Sequence, residues 1–245
     1  MHPWLTRLWQ RRPAWLTPSP VCLLCGGTGV DLPICAGCEA ELPWLGGHCS
    51  ICALPLPTLD LPCGECLKRL PPFTRVEVPW RYGFPVDSLI TRFKHQGQWP
   101  MGRLLAELLG RHLAHAYSEG LPRPTALLPV PLAPRRLRQR GFNQAQMLAR
   151  WLGDDLGLTV RANWLQRISE TPAQQGLDAK ARRRNLRQAF DLATDAQPAG
   201  LHLAIVDDVL TTGTTAHYLA RLLKHHGAER VDIYCLARTP SPGNS

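Results

Sequence analysis

Lysine is scarce in this sequence: Lys68, Lys94, Lys180 and Lys224 are the only four, although Lys+Arg total 28 against 19 Asp+Glu, a formal net charge of +9. The positive charge is therefore carried by arginine, whose planar fork of donors suits phosphate better than a point ammonium does. Composition alone leaves two readings open, an anionic partner and a solvated basic face. Long apolar runs are also lacking. None approaches the roughly 20 residues that a membrane span needs, so no span is expected. The opening stretch, MHPWLTRLWQRRPAWLTPSP, scatters arginine and tryptophan where a leader would set a basic start before an apolar core. It does not read as a secretory signal, and a cytoplasmic location is expected. The histidines show no metal-ligand spacing.

Cysteine is abundant, and its arrangement is informative. Eight of the nine fall into four Cys-x-x-Cys pairs: Cys22/Cys25, Cys35/Cys38, Cys49/Cys52 and Cys63/Cys66. Such a turn aims two thiolates at one point, and two turns complete a tetrahedral zinc site. Reduced thiols in a cytoplasmic chain favour metal ligation over disulfides. Two structural Zn²⁺ sites are expected, closed because all four ligands of each would be cysteine. The pairing of knuckles is open between sequential ribbons and an interleaved cross-brace. The short gaps between knuckles favour the sequential scheme. An iron–sulfur cluster is the lesser alternative for the same thiolates. Cys235, alone in VDIYCLA, reads as a core residue.

At 245 residues the chain can hold one medium domain and a smaller module. The expected division is an N-terminal segment over 1–20, a cysteine-rich zinc module over 21–72, a larger domain over 73–240 and a tail over 241–245. Within the larger domain FTRVEVPWRY (73–82) alternates as a strand or hairpin, and PVDSLITRFKHQGQ follows as a helix and polar loop. MGRLLAELLGRHLAHAY (101–117) has helical apolar spacing, and TALLPVPL (125–132) reads as a short buried strand. A helix through NQAQMLARWLGDDLG precedes a strand near LTVRANWL, and the arginine-rich residues 166–189 read as a long mobile excursion. Strand HLAIVD, helix TAHYLARLLKHHG and strand RVDIYCLAR close the domain. Alternating strands and helices predict an open parallel α/β sheet, in which ligands sit beyond the carboxyl ends of strands.

AIVDDVLTTGTTAHYL (204–219) occupies that position. Thr211, Thr212, Gly213, Thr214 and Thr215 offer hydroxyls and successive backbone N–H groups just before a helix, where anions are favoured. Glycine lets the backbone curl into a nest around phosphate. No lysine follows in the P-loop pattern, so one phosphate fits better than a triphosphate cradle. Asp207 and Asp208 can accept hydrogen bonds from a vicinal diol, lie near a metal, or favour positive charge developing at a sugar carbon. The plainer reading is a capping Asp with threonines as ordinary loop formers.

LAIVDDVLTTGTT resembles the phosphoribosylpyrophosphate-binding signature of type I phosphoribosyltransferases. With FKHQG (93–97), PVPLAPRRLRQRGFNQA (129–145) and TPAQQGLDAKARRRNLRQAF (171–190), the stretch from Cys22 to Arg238 resembles the ComF family, including its GntX-like proteins. The resemblance implies a type I phosphoribosyltransferase-like open parallel sheet flanked by helices, preceded by a small Cys₄-type zinc-binding module. It assigns Asp207 and Asp208 to the ribose hydroxyls and Thr211 to Thr215 to the 5′-phosphate. It sets the pyrophosphate loop at the Val130-Pro131-Leu132 turn and makes Lys94 an active-site cation. Mg²⁺ would bind mainly through oxygens of phosphoribosylpyrophosphate. The family is associated with natural competence, DNA uptake and use of DNA as a nutrient.

Two arginine clusters flank these motifs: Arg135, Arg136, Arg138 and Arg140, then Arg182, Arg183, Arg184 and Arg187. Each could neutralise pyrophosphate or track a nucleic-acid backbone. Phe142 could stack on a base or anchor a helix start. Two function classes follow. One is a phosphoribosyl-transferring enzyme. The other is a binding module that grips single-stranded DNA, through Arg182 to Arg184, beside a competence helicase or recombination partner. Neither the acceptor base nor the oligomeric state is written in these motifs.

Overall fold

The computed structural model describes residues 21–28, 32–57, 61–168 and 189–241. They belong to two compact units divided between Leu42 and Pro43. That division falls inside the 21–72 cysteine-rich segment, so the two halves of that segment belong to different units.

In the N-terminal unit a tight knuckle is closed by hydrogen bonds from Cys22 N to Gly27 O (2.7 Å) and Gly26 N to Cys22 O (2.9 Å). Gly26 takes φ +76°, a left-handed turn that a side chain would strain. Helix α1 (Ala36–Ala40) starts directly on Cys35. In the larger unit the third knuckle is closed by Cys49 N to Leu54 O (2.8 Å), and α2 (Gly64–Lys68) starts on Cys63.

The larger unit is built on a parallel sheet. Its strands are β1 (Val76–Glu77), β2 (Trp80–Arg81), β3 (Ala126–Pro129), β4 (Thr159–Val160), β7 (His202–Leu210) and β8 (Arg230–Arg238). The order is β1-β8-β7-β3-β4, and β2 also pairs with β8. FTRVEVPWRY is thus no hairpin. Both short strands run parallel to β8, at Val76↔Ile233 and Trp80↔Ala237, as one interrupted strand in constant register. Pro79 stands at the break, where it cannot donate to a ladder. An antiparallel pair, β5 (Leu165–Arg167) and β6 (Phe190–Leu192), brackets the arginine-rich stretch 169–188, which lies outside the described residues.

Helices are α3 (Val86–Gln96), α4 (Trp99–Ser118), α5 (Pro134–Arg140), α6 (Gln144–Leu156) and α7 (Thr214–His225). Leu203 and Ile205 of β7 and Val231, Ile233 and Cys235 of β8 share a core with Ala216, Leu219, Ala220 and Leu223 of α7. The alternate residues turn to the opposite face: Tyr234 meets α4, whose Tyr117 hydroxyl donates to it at 3.2 Å. Burial on both faces explains why these strands read as continuous apolar runs. Cys235 is fully buried in this core, as its sequence context implied. No helix among the described residues is long and apolar enough to cross a membrane.

Candidate functional site

Sequential pairing of the knuckles is what the fold produces. Cys22, Cys25, Cys35 and Cys38 gather in the N-terminal unit; Cys49, Cys52, Cys63 and Cys66 gather in the larger one, each set with its sulfurs within 4.8 Å of one another. Sulfurs at about 2.3 Å from a tetrahedral zinc stand about 3.8 Å apart. Cys25 Sγ and Cys35 Sγ are separated by 3.8 Å, and Cys52 Sγ and Cys63 Sγ by 3.7 Å. Each set can hold one zinc ion, with every ligand position filled by protein. Burial opposes ionisation of Cys22 and Cys49, but backbone N–H groups outweigh it and pull these thiols down to about 6 and about 7. Side-chain hydrogen bonds from Cys35 and Cys25 push Cys38 up to about 12, and burial pushes Cys52 up to about 11. Four sulfurs this close cannot all ionise unaided, and a dication held at their centre would supply the missing charge.

The second feature lies along β7. The strand extends three residues past the HLAIVD of the sequence, so Asp208 as well as Asp207 sits inside it. Successive strand residues face opposite sides, yet both acids bend back on the chain: Asp207 Oδ1 accepts from Asp208 N and Asp208 Oδ1 from Val209 N, each at 2.8 Å. Lys94, in the last turn of α3, places its Nζ 2.7 Å from Asp208 Oδ2. That oxygen is sealed from solvent without an aligned hydrogen-bond donor among the described residues, so the Lys94 charge balances it as an ion pair. Burial, reinforced by the Asp208 charge, pushes the Asp207 carboxyl up to about 8.

Gly102 makes room for Phe93, the residue before Lys94 on α3. The Phe93 ring is fully buried, and a Cβ on Gly102 would come within 2.5 Å of it. Arg140 and His95 also lie close enough to the pair of Lys94 and Asp208 to interact with it electrostatically. Burial holds Arg140 below the usual guanidinium range while Asp208 opposes that shift, and burial with the Arg140 and Lys94 charges lowers His95. Gln144, nearly buried at the start of α6, accepts from Arg140 Nη1. Arg136 is exposed on α5 and acts on Arg140 by repulsion. Val130 N donates to Val206 O (2.9 Å), which carries the β3 pairing into the Val130-Pro131 turn. Asn143 caps α6 through Ala145 N (3.0 Å) and donates from Nδ2 to Val130 O (3.0 Å), tying that turn to the helix. The Phe142 ring lies 5.6 Å from Phe93, the geometry of an apolar anchor.

Third is the loop that β7 feeds. Gly213, at φ +70°, is the N-cap of α7, and Thr212 Oγ1 meets Thr214 Oγ1 at 2.8 Å. Thr211, Thr212, Gly213 and Thr214 line a cleft of about 930 Å³ whose other wall includes Cys52, Cys63 and Cys66. Asp207 and Asp208 precede this loop on the same strand, so strand, acids and loop form one continuous feature. Arg182, Arg183 and Arg184 lie outside the described residues.

Sequence reasoning missed Arg238, Asn143 and Gln144. Arg238 had a signal: it follows the apolar run at 233–237 at the carboxyl end of β8, the same end of the sheet as the threonine loop. Asn143 had one too, as a capping residue before a helical run. Gln144 had none.

The phosphoribosyl transferase domain family matches residues 141–244. The "DNA utilization protein YhgH" of Salmonella typhi is 37% identical over 226 residues, covering 92% of this chain and 96% of that protein. The "Competence protein F" of Haemophilus influenzae is 36% identical over 207 residues, covering 84% and 90%. A solved purine phosphoribosyltransferase from Pyrococcus horikoshii aligns with 55% of this chain and 70% of its own at 18% identity, with a TM-score of 0.34, too loose to add to the assignment. With its cysteine-rich N-terminal segment, its parallel sheet and relatives matched over nearly their whole length, the chain belongs to the ComF family of phosphoribosyltransferase-domain proteins.

Proposed function

We propose that this protein binds phosphoribosylpyrophosphate with Mg²⁺ and transfers its phosphoribosyl group to an acceptor, in the handling of DNA taken up from outside. The observation that carries the reading is that β7 delivers two adjacent acids, Asp207 and the Lys94-paired Asp208, directly into the Thr211–Thr215 loop at the start of α7. In this reading Thr211, Thr212, Gly213, Thr214 and Thr215 hold the 5′-phosphate through hydroxyls and the orphan N–H groups of α7. Asp207 and Asp208 accept from the ribose hydroxyls.

Cations then have to leave the acids for the phosphates. Lys94 turns from Asp208 toward the pyrophosphate, joined by Arg140 and Arg136, with the Val130-Pro131 turn as the pyrophosphate loop. The bond from C1 to the pyrophosphate oxygen breaks with its electron pair staying on oxygen, while an acceptor atom supplies the pair for the new bond to C1. The Asp208 carboxylate, released by Lys94, favours the positive charge that develops on the sugar between those events. Orientation supplies the rest, without a covalent nucleophile. Bound with the diphosphate, Mg²⁺ supplies positive charge to the departing oxygens. The names carried by the relatives, DNA utilization and competence, support the DNA-uptake setting.

The test is a titration of phosphoribosylpyrophosphate with Mg²⁺ against wild type and the Asp207→Asn/Asp208→Asn variant. Wild type is expected to bind at least about tenfold more tightly, the loss of one to two charge-assisted contacts. Failure of wild type to bind, or equal binding by both, overturns the assignment. Pyrophosphate release across a panel of bases then separates a transferase from a binder. The second reading, a single-stranded DNA-binding accessory, is supported by the +9 charge and the Arg182–Arg184 run. It expects salt-sensitive binding of single strands that weakens when these arginines become alanine, and unchanged affinity counts against it.

A further inference from the structure

Arg238 closes β8 with only 7% of its surface exposed, and each of its hydrogen bonds given by the fold goes to a backbone carbonyl. Nε donates to Cys52 O at 3.1 Å. Nη1 donates to Leu210 O at 3.0 Å, to Thr211 O and to Thr239 O at 2.8 Å. One planar guanidinium thus grips a metal-site residue on one wall of the cleft and the first residues of the threonine loop on the other.

We infer that Arg238 is a positioning residue that couples the metal state of the Cys49/Cys52/Cys63/Cys66 site to the conformation of the anion-binding loop. The coupling follows from peptide geometry. In a planar trans peptide the C=O and the following N–H point in opposite directions. Holding the carbonyls of Leu210 and Thr211 on the guanidinium therefore aims the N–H groups of Thr211 and Thr212 away from Arg238. The same charge polarises both peptide groups and strengthens those donors. At the other end, the Cys52 carbonyl is fixed only while its knuckle is closed. Ala53, the next residue, sits at φ +53°, a left-handed conformation rare outside glycine, and is fully buried. A zinc ion on the Cys52 thiolate over-determines that turn; without it the strained turn can relax and release the carbonyl.

The functional consequence rests on reading Thr211–Thr215 as the phosphate loop, but the coupling can be measured without a ligand. Hydrogen–deuterium exchange is followed on the zinc-loaded full chain for wild type, Arg238→Ala and Arg238→Lys, before and after chelation. In Arg238→Ala the amides of 211–215 are expected to exchange about tenfold faster, within the usual range of coupling between sites, while those of 203–206 stay protected. Chelation gives a similar increase in wild type and less than about twofold more in Arg238→Ala, because the route is already cut. Arg238→Lys, with one ammonium for the fork, falls between, and it carries the comparison if the alanine variant does not fold. Wild-type exchange in the loop of Arg238→Ala, or a full chelation increment on that variant, overturns the coupling. Ribose 5-phosphate is then titrated as the probe. About tenfold weaker binding to Arg238→Ala is expected. If wild type does not bind the probe while the exchange pattern holds, the phosphate assignment fails and the coupling stands.

Discussion

Asp207 holds its proton far above the ordinary carboxyl value of 3.8, up to about 8, first through burial and then through the Asp208 charge. The native state therefore carries one proton more than the unfolded chain across the window between about pH 4 and pH 8. Stability contributed by this group is lost as pH rises through that window and levels off above it, at up to about 1.4 kcal/mol per pH unit. Replacing Asp207 with Asn is expected to flatten this slope, so that melting temperature measured against pH falls less for the variant and the two curves cross. A variant that keeps the wild-type slope would place the titrating group elsewhere. Asp208 makes the complementary case. Its Oδ2 has Lys94 at 2.7 Å and is otherwise sealed, so Lys94→Met strands a buried carboxylate. A loss of about 2–4 kcal/mol is expected in denaturant unfolding, the lower part of the range for a broken buried pair because Lys94 keeps some contact with solvent. Adding Asp208→Asn to that variant should recover most of the loss, since the charge is gone. In the proposed mechanism the same ion pair opens for substrate, which would link the stability of the empty site to its electrostatic readiness.

Between α3 and α4 the packing beside Lys94 uses a glycine that no local rule demands. Gly102 is helical, and alanine there would ordinarily gain about 1 kcal/mol. A Cβ at this position meets the Phe93 ring at 2.5 Å, and Phe93 is the neighbour of Lys94. Overpacking of this kind costs about 1–3 kcal/mol, so Gly102→Ala is expected to lower the melting temperature and to weaken phosphoribosylpyrophosphate binding together. A more stable variant with unaltered affinity would show that the ring simply turns aside. This dependence was not legible in the sequence, because it joins residues on two helices through a close approach. The long elements were legible: α4, α6, α7 and β8 follow from apolar periodicity and end at capping residues such as Asn143 and Gly157. The acids and the threonine loop were legible as a motif, but the end of β7 was not. Beyond Val206 the apolar run is broken by Asp207 and Asp208, which reads as a strand end, while pairing with β8 continues to Leu210↔Arg238. Helix α5 was hidden for the opposite reason. PRRLRQR buries no side chain, so it has no apolar stripe to reveal it.

At the scale of the molecule the two cysteine sites look alike in sequence and differ in what they support. Cys22, Cys25, Cys35 and Cys38 belong to the unit that ends at Leu42. The other four belong to the sheet-bearing unit, where Ala53 is part of the core that contains Leu203, Ile205 and Ile233, with Ile51 and Cys52 packed against it. Zinc held there would stabilise the sheet-bearing unit, since a closed Cys₄ zinc supplies folding free energy to the segment that binds it. Cys22→Ser and Cys63→Ser should each lower the zinc content by one ion per chain, measured on the purified protein. Their thermal behaviour should then part. Cys22→Ser leaves the main unfolding transition of the sheet-bearing unit within about 1 °C, because a site in a separate cooperative unit need not share its free energy. Cys63→Ser lowers that transition by about 5 °C or more, corresponding to at least about 1–2 kcal/mol in a domain of this size. Equal shifts from the two substitutions would mean that both sites unfold with the sheet as one cooperative body. Unequal shifts in the stated direction identify the second site as the one that unfolds together with the sheet.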